Sequence, residues 1–166
     1  MVQICSFLTS FKNLLNPEII LDCVTDDTRY NKLIFKENSD GSLIRKLSID
    51  HIPKNSIAFT LDFCVGQNKF SQLSQYLNSQ CKEGINKSCD IVIMVCNGVD
   101  IDVYFFDLKS EKIKPKDCSR QLKNSELFVV DYLFQSLMRN YYTNEYDIIK
   151  LGKVRRIIGS PNTQLR

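Results

Sequence analysis

The sequence predicts a mixed α/β domain, and three observations carry that prediction. Two apolar, β-branched-rich runs flank Asn97-Gly98, which is the strongest short-range signal for a β-hairpin. From Pro115 onward, apolar residues recur at helical spacing to about residue 142. Shorter strand-like runs lie on both sides of these two segments, so helices and strands alternate around one sheet. At 166 residues the chain has the size of a single domain with a sizeable core. We divide it into an amino-terminal helix and hairpin extension over 1–56 and a core over 57–158.

Taken in order, residues 1–15 form a moderately apolar start that suits a packed helix or strand. A helical pattern over 11–21 is interrupted by Asn16-Pro17, because proline lacks the N–H that an internal helical turn needs. Residues 31–35 and 43–49 flank Asn38-Ser39-Asp40-Gly41, a turn cluster that predicts another hairpin. A strand is expected over 57–65 and a modest amphipathic helix over 70–81, with Leu73, Leu77 and Cys81 on one stripe. The central hairpin follows. Pro115 and Asp117 then open the long helix, since proline tolerates the first turn and aspartate can cap free amides there. Leu122, Val129, Val130, Leu133, Leu137 and Tyr141 form its expected core stripe. Late strands are expected over 147–151 and 154–158, around Gly152.

The central hairpin is the most informative part of the chain. If Asn97-Gly98 is its loop, Cys96 pairs with Val99 and Asp90 falls opposite Phe105. Opposed residues share a face and side chains alternate along a strand, so Asp90, Asp107 and Lys109 converge on one face. A four-residue loop opposes Asp90 and Asp107 directly and keeps that parity, whereas an odd loop or a bulge separates them. Asp100 and Asp102 have the opposite parity and should face away. The run 91–96 is apolar on both faces, which predicts a buried strand. Two carboxylates beside such a strand need compensation. A hard divalent cation such as Mg²⁺ supplies it, and a nearby lysine can orient a metal-bound water or balance charge on a phosphate.

Cys89-Asp90, a hairpin, and then Phe106-Asp107-Leu108-Lys109-Ser110 resemble the PD-(D/E)xK nucleases. The likeness is to small bacterial members that carry CD, (D/E)LK and QL in sequence, and it covers about 57–158. It implies a restriction-endonuclease-like αβββαβ core, a central mixed β-sheet flanked by helices. Asp90 matches the first acid, Asp107 and Lys109 match the (D/E)xK pair, and Gln121 with Leu122 matches QL. Asp107 stands where the pattern usually has Glu, and Cys89 where it usually has Pro. The resemblance implies Mg²⁺ or Mn²⁺ held by Asp90, Asp107 and the backbone carbonyl of Leu108. A further acid is expected, with Asp62 and Glu83 as candidates. Gln121 is implied near the metal or the substrate phosphate. The implied activity is hydrolysis of nucleic acid, with DNA preferred to RNA, in restriction, repair or anti-phage defence. A homodimer or a partner subunit of a defence system is the implied assembly. The alternative is an inactive nuclease-fold module that binds nucleic acid or a protein partner. A structural α/β subunit whose charges are merely paired is a further one.

Composition narrows the chemistry. The chain is 43% hydrophobic and 25% charged, ordinary values for a globular protein, and its net charge of +3 permits nucleic acid without demanding it. No apolar run reaches membrane-spanning length and the amino terminus lacks a signal-peptide pattern, so a cytoplasmic protein with no membrane partner is expected. The seven cysteines include no C-x-x-C and suggest reduced, buried thiols. His51 is the only histidine, which disfavours a Cys/His zinc site and any histidine-activated nucleophile. Lys150, Lys153, Arg155 and Arg156 form a basic cluster that suits phosphate contact or protection of a sheet edge. Tyr141 and Tyr142 suit base stacking or packing at the helix end.

Overall fold

The computed structural model describes residues 2–25, 29–36, 46–65, 68–70, 73–74, 76, 84–109, 115–142 and 148–160. Helix α1 (Val2–Leu14) comes first. It buries Phe7, Leu8 and Phe11, whose spacing places them on one helical face. The expected interruption is present: Pro17–Ile19 makes one 3₁₀ turn, and Asn16 Oδ1 accepts the Glu18 N–H at 3.0 Å. Strands β1 (Cys23–Thr25), β2 (Tyr30–Lys36) and β3 (Lys46–Pro53) form an antiparallel sheet in that order. The β2–β3 pair is the predicted second hairpin, and its turn cluster lies outside the described residues. His51, at φ +59°, sits where the β2–β3 register shifts, with its ring edge-on to Tyr30.

The central sheet contains β4 (Ser56–Phe59), β7 (Ile91–Asn97), β8 (Asp100–Leu108) and β9 (Lys150–Gly159), in that order. β4 and β8 run antiparallel to β7, whereas β9 runs parallel to β8. Between β4 and β7, β5 (Phe63–Val65) and β6 (Asn68–Phe70) pair as a small ribbon. The strand expected over 57–65 is therefore divided. Thr60 Oγ1 donates to the Asp62 carbonyl at 3.0 Å and accepts the Asp62 N–H at 3.1 Å, a local turn that competes with the ladder.

The helix expected over 70–81 begins instead in β6, because Phe70 pairs with Phe63. Asn86 holds Leu73 and Ser74 in a non-helical path: its carbonyl accepts the Leu73 N–H, and its side chain bonds both backbone groups of Ser74 at 2.7 Å. Leu77 and Cys81 lie outside the described residues.

The long helix runs continuously through α2 (Pro115–Glu126), a π-helical stretch (Leu127–Phe134) and α3 (Gln135–Tyr141). The wider π turn delays the helical phase, so the buried stripe passes through Phe134 and Met138. Leu133 is only partly buried and Tyr141 is 73% exposed, contrary to the stripe expected from a regular helix. Tyr142 instead ties this helix to α1, through Ser10 at 2.7 Å and an edge contact with Phe7.

The two late strands are one strand with a bulge. Ile101 pairs with Leu151 and Val103 with Val154, which leaves Gly152 and Lys153 opposite Asp102. Asp102 is buried and accepts the Lys153 N–H at 2.6 Å, and a Cβ on Gly152 would strike its carboxylate.

Both faces of the central sheet are covered. Phe59, Val92, Met94, Val103 and Phe105 face α1 and the long helix, while Ala58, Ile91, Ile93 and Phe106 pack on Leu33 and Ile52 of the three-stranded sheet. The result is a mixed α/β architecture with helices on one side and a second sheet on the other. Strand β7 lies in the middle, as its apolar run predicts.

Candidate metal centre

The β7–β8 hairpin sets the site. Asn97 pairs with Asp100, so the turn is Gly98-Val99 rather than Asn97-Gly98. Gly98 takes φ +67° and, among the described residues, His51 is the one non-glycine with positive φ. A single left-handed residue at the first turn position is what a II′-like turn needs, so Asn97 stays in the ladder. The register moves by two residues. Ile91 pairs with Phe106, and Asp90 arrives at the level of Asp107 rather than Phe105. Parity survives this shift because side-chain direction has period two.

Asp90 brackets Asp107 by bonding to the residue on each side of it. Its N–H donates to the Phe106 carbonyl at 3.0 Å, and its Oδ2 accepts the Leu108 N–H. Asp107 itself projects from β8 with a side chain only 1% exposed. Its Oδ1 accepts from Lys109 Nζ at 2.8 Å, whereas its Oδ2 is buried with no hydrogen-bond partner among the described residues. Lys109 Nζ also donates to Gln121 Oε1 at 2.8 Å. The Lys109 N–H is fixed to the Gly159 carbonyl of β9 at 2.8 Å. The structure thus joins Asp107, Lys109 and Gln121 directly, with Gln121 in the second turn of α2.

The electrostatics follow from burial. Desolvation pushes the Asp90 carboxyl up to about 7; the Leu108 N–H opposes this, the Asp107 charge reinforces it, Lys109 lowers it and Asp62 adds a small upward push. Burial also raises Asp107, against the hydrogen bond and charge of Lys109. For Lys109, burial disfavours the ammonium, but Asp107 outweighs that cost and the net shift is upward. Two neighbouring thiols are held neutral. Burial drives Cys89 up to about 12, and burial together with the Asp107 charge raises Cys118. Asp90, Asp107 and Lys109 together have one negative charge in excess when all are ionised. A proton on Asp90 relieves it, and a divalent cation can do the same.

The remaining predicted residues divide. Asp62 is exposed, yet its charge is felt at Asp90, so it is the described candidate for a further acid. Glu83 lies outside the described residues. Leu108, expected to offer its carbonyl to a metal, stands between Asp107 and Lys109. Among the described residues, no three His, Cys, Asp or Glu side chains converge as a ready metal cage. The buried Asp107 Oδ2, without a hydrogen-bond partner among the described residues, is nevertheless the kind of oxygen that a hard cation would satisfy. Lys150, Lys153, Arg155 and Arg156 are all exposed on β9, but Arg156 Nε is ion-paired with Glu126 of α2.

Two further residues bear on the site, both fully buried on α2: Ser125, which the sequence does not single out, and Cys118, expected there only as one of the buried thiols. Their only signal in the sequence is helical phase: each lies on the same stripe as Leu122. Cys89, Cys96 and Cys118 are buried and Cys23 is half-buried, and none of the four is in a disulfide. No helix is long and apolar enough to cross a membrane among the described residues. Comparison with protein-family models, with curated proteins and with solved structures gave no match to this chain.

Proposed function

We propose that this protein is a metal-dependent phosphodiesterase of the PD-(D/E)xK type that hydrolyses nucleic acid, DNA in preference to RNA. One observation carries the reading: a buried carboxylate oxygen of Asp107 with no hydrogen-bond partner among the described residues, on a strand position level with Asp90 and bonded to a lysine tethered by Gln121. The order α1, β4, β7, β8, long helix, β9, with an antiparallel hairpin and a parallel last pair, is the order such a core would have and supports the reading, while the second face carries the β1–β3 sheet where the expected core has helices.

In this reading Asp90 and Asp107 would hold Mg²⁺ or Mn²⁺, with Asp62 as the described candidate for a further acid. A bound ion would supply Lewis acidity, for activating a water and for offsetting charge on the phosphate. The chain's own groups do the rest. Lys109 offers its ammonium to the attacking water or to a phosphate oxygen. Asp107 and Gln121 fix that ammonium from two directions, so little reorganisation is needed when charge develops. Burial of both acids keeps the local dielectric low, which strengthens each of these interactions.

The test is cleavage of a panel of labelled DNA and RNA substrates with Mn²⁺, and binding to the same panel in Ca²⁺. Wild type should cut at least one substrate. Folded Lys109→Ala should bind it comparably and cut about a hundredfold more slowly or worse, as when other preorganised electrostatic donors are lost. Wild-type-like cleavage by Lys109→Ala would remove its catalytic role. The second reading, an inactive nuclease-fold binding module, is favoured by the lack of a three-acid group among the described residues. It predicts binding without cleavage by wild type.

A further inference from the structure

Ser125 lies one turn beyond Gln121 in α2 and is fully buried. Its hydroxyl donates to the Gln121 carbonyl at 3.0 Å, an ordinary back-bond for a helical serine. The same oxygen also accepts the Cys89 N–H at 2.8 Å, from a segment 36 residues away in sequence. That second bond is not explained by helix chemistry. It stitches α2 to the residue immediately before Asp90. Asn124, next to Ser125, reinforces the junction by donating to the carbonyls of Gly84 and Lys87 at 2.9 and 3.1 Å.

Followed from atom to atom, these contacts close a ring. Asp90 accepts from Leu108, and Lys109 follows Leu108 in the chain. Lys109 Nζ reaches Gln121, Gln121 accepts from Ser125, and Ser125 accepts from Cys89, whose peptide bond returns to Asp90. Ser125 is the one member of this ring that joins the helix to the start of β7 without belonging to the proposed catalytic set.

We infer that Ser125 is a positioning residue: its hydroxyl sets the distance and orientation between Asp90 on the hairpin and the Gln121–Lys109 pair on the helix side. The catalytic consequence rests on the nuclease reading above, while the positioning itself does not. Without the hydroxyl, the Cys89 N–H loses its acceptor and the entry to β7 is free to drift from α2. Asp90 then moves relative to Leu108 and Asp107. Partners that orient metal ligands typically change metal affinity by about ten- to a hundredfold when removed.

Three proteins decide the matter: wild type, Ser125→Ala, and Ser10→Ala, which removes the comparable α1–Tyr142 tie away from the site. Two quantities are read without nucleic acid: hydrogen exchange of the Leu108 amide, and the Mn²⁺ concentration that half-saturates the rise in melting midpoint. Ser125→Ala should exchange Leu108 about tenfold faster and need about tenfold more Mn²⁺. Ser10→Ala should lower the midpoint while leaving both readouts at wild-type values. If Ser125→Ala does not fold, Ser125→Cys, which keeps the volume and weakens both bonds, takes its place. Unchanged Leu108 exchange in the Ser125 variant, or an equal change in Ser10→Ala, overturns the inference. A wild type indifferent to Mn²⁺ removes the metal reading instead, and the Leu108 exchange still decides the positioning role.

Discussion

Near neutral pH the Asp90 carboxyl is close to half-protonated, because burial lifts it to about 7. The folded state therefore binds a proton that the unfolded chain, with an ordinary carboxyl at 3.8, has already released. Where the native state holds more protons, stability falls as pH rises. The metal-free protein should lose melting temperature progressively between about pH 4 and pH 7, and Asp90→Asn should flatten that slope in thermal melts across the range. Mn²⁺ competes with the same proton, so its stabilising shift should be larger at pH 8 than at pH 6. Asp107→Ala should abolish that shift, whereas Lys109→Ala should keep most of it. Melts with and without the metal separate the two roles. These residues were legible in sequence because parity depends only on odd or even spacing, and a register error of two leaves it intact. The orphaned Asp107 oxygen was not legible, since it depends on what α2 places over the strand.

Gly152 is the hinge of the β9 bulge, and its missing side chain is what lets the Asp102 carboxylate take the Lys153 N–H. Gly152→Ala should destabilise the fold by about 1–3 kcal/mol, the usual range for overpacking. In an Asp102→Ala background the same substitution should cost less, because the group it strikes is gone. A double-mutant cycle by denaturant melts measures that coupling. From sequence alone two strands are expected here because glycine punctuates patterns, and a bulge differs from a break only in what the neighbouring strand supplies. The long helix shows the complementary limit. Its extent followed from periodicity, but the π stretch shifted the phase, so Phe134 and Met138 replaced Leu133 and Tyr141 in the core. The predicted strand over 57–65 failed for a local reason, the Thr60–Asp62 turn.

Across the molecule, the central sheet works as a partition between two apolar compartments, one roofed by helices and one by β1–β3. Phe105, fully buried on the helix side, is one strand position pair from Asp107. Phe105→Ala should cost about 3–5 kcal/mol, measurable by urea unfolding. The apolar run of β7 announced burial on both faces, and the α/β class followed from helices and strands alternating around one sheet. What covers each face could not be read, because a strand's sequence records that it is buried and not by what. The amino-terminal hairpin, placed beyond the core as an extension, proves to be the second roof.

The parallel pairing of β8 with β9 has a consequence for how the protein is born. The Lys109 amide is anchored to Gly159, about fifty positions later in the chain. During synthesis the hairpin, which ends at Leu108, is made well before β9, which begins at Lys150. Until that strand docks, the end of β8 has no neighbour on its outer side, and Lys109 has no fixed origin from which to reach Asp107 and Gln121. The acids come together early and the cation is aimed late. A nascent chain therefore carries an unfinished centre, and competence arrives with the strand that closes the sheet.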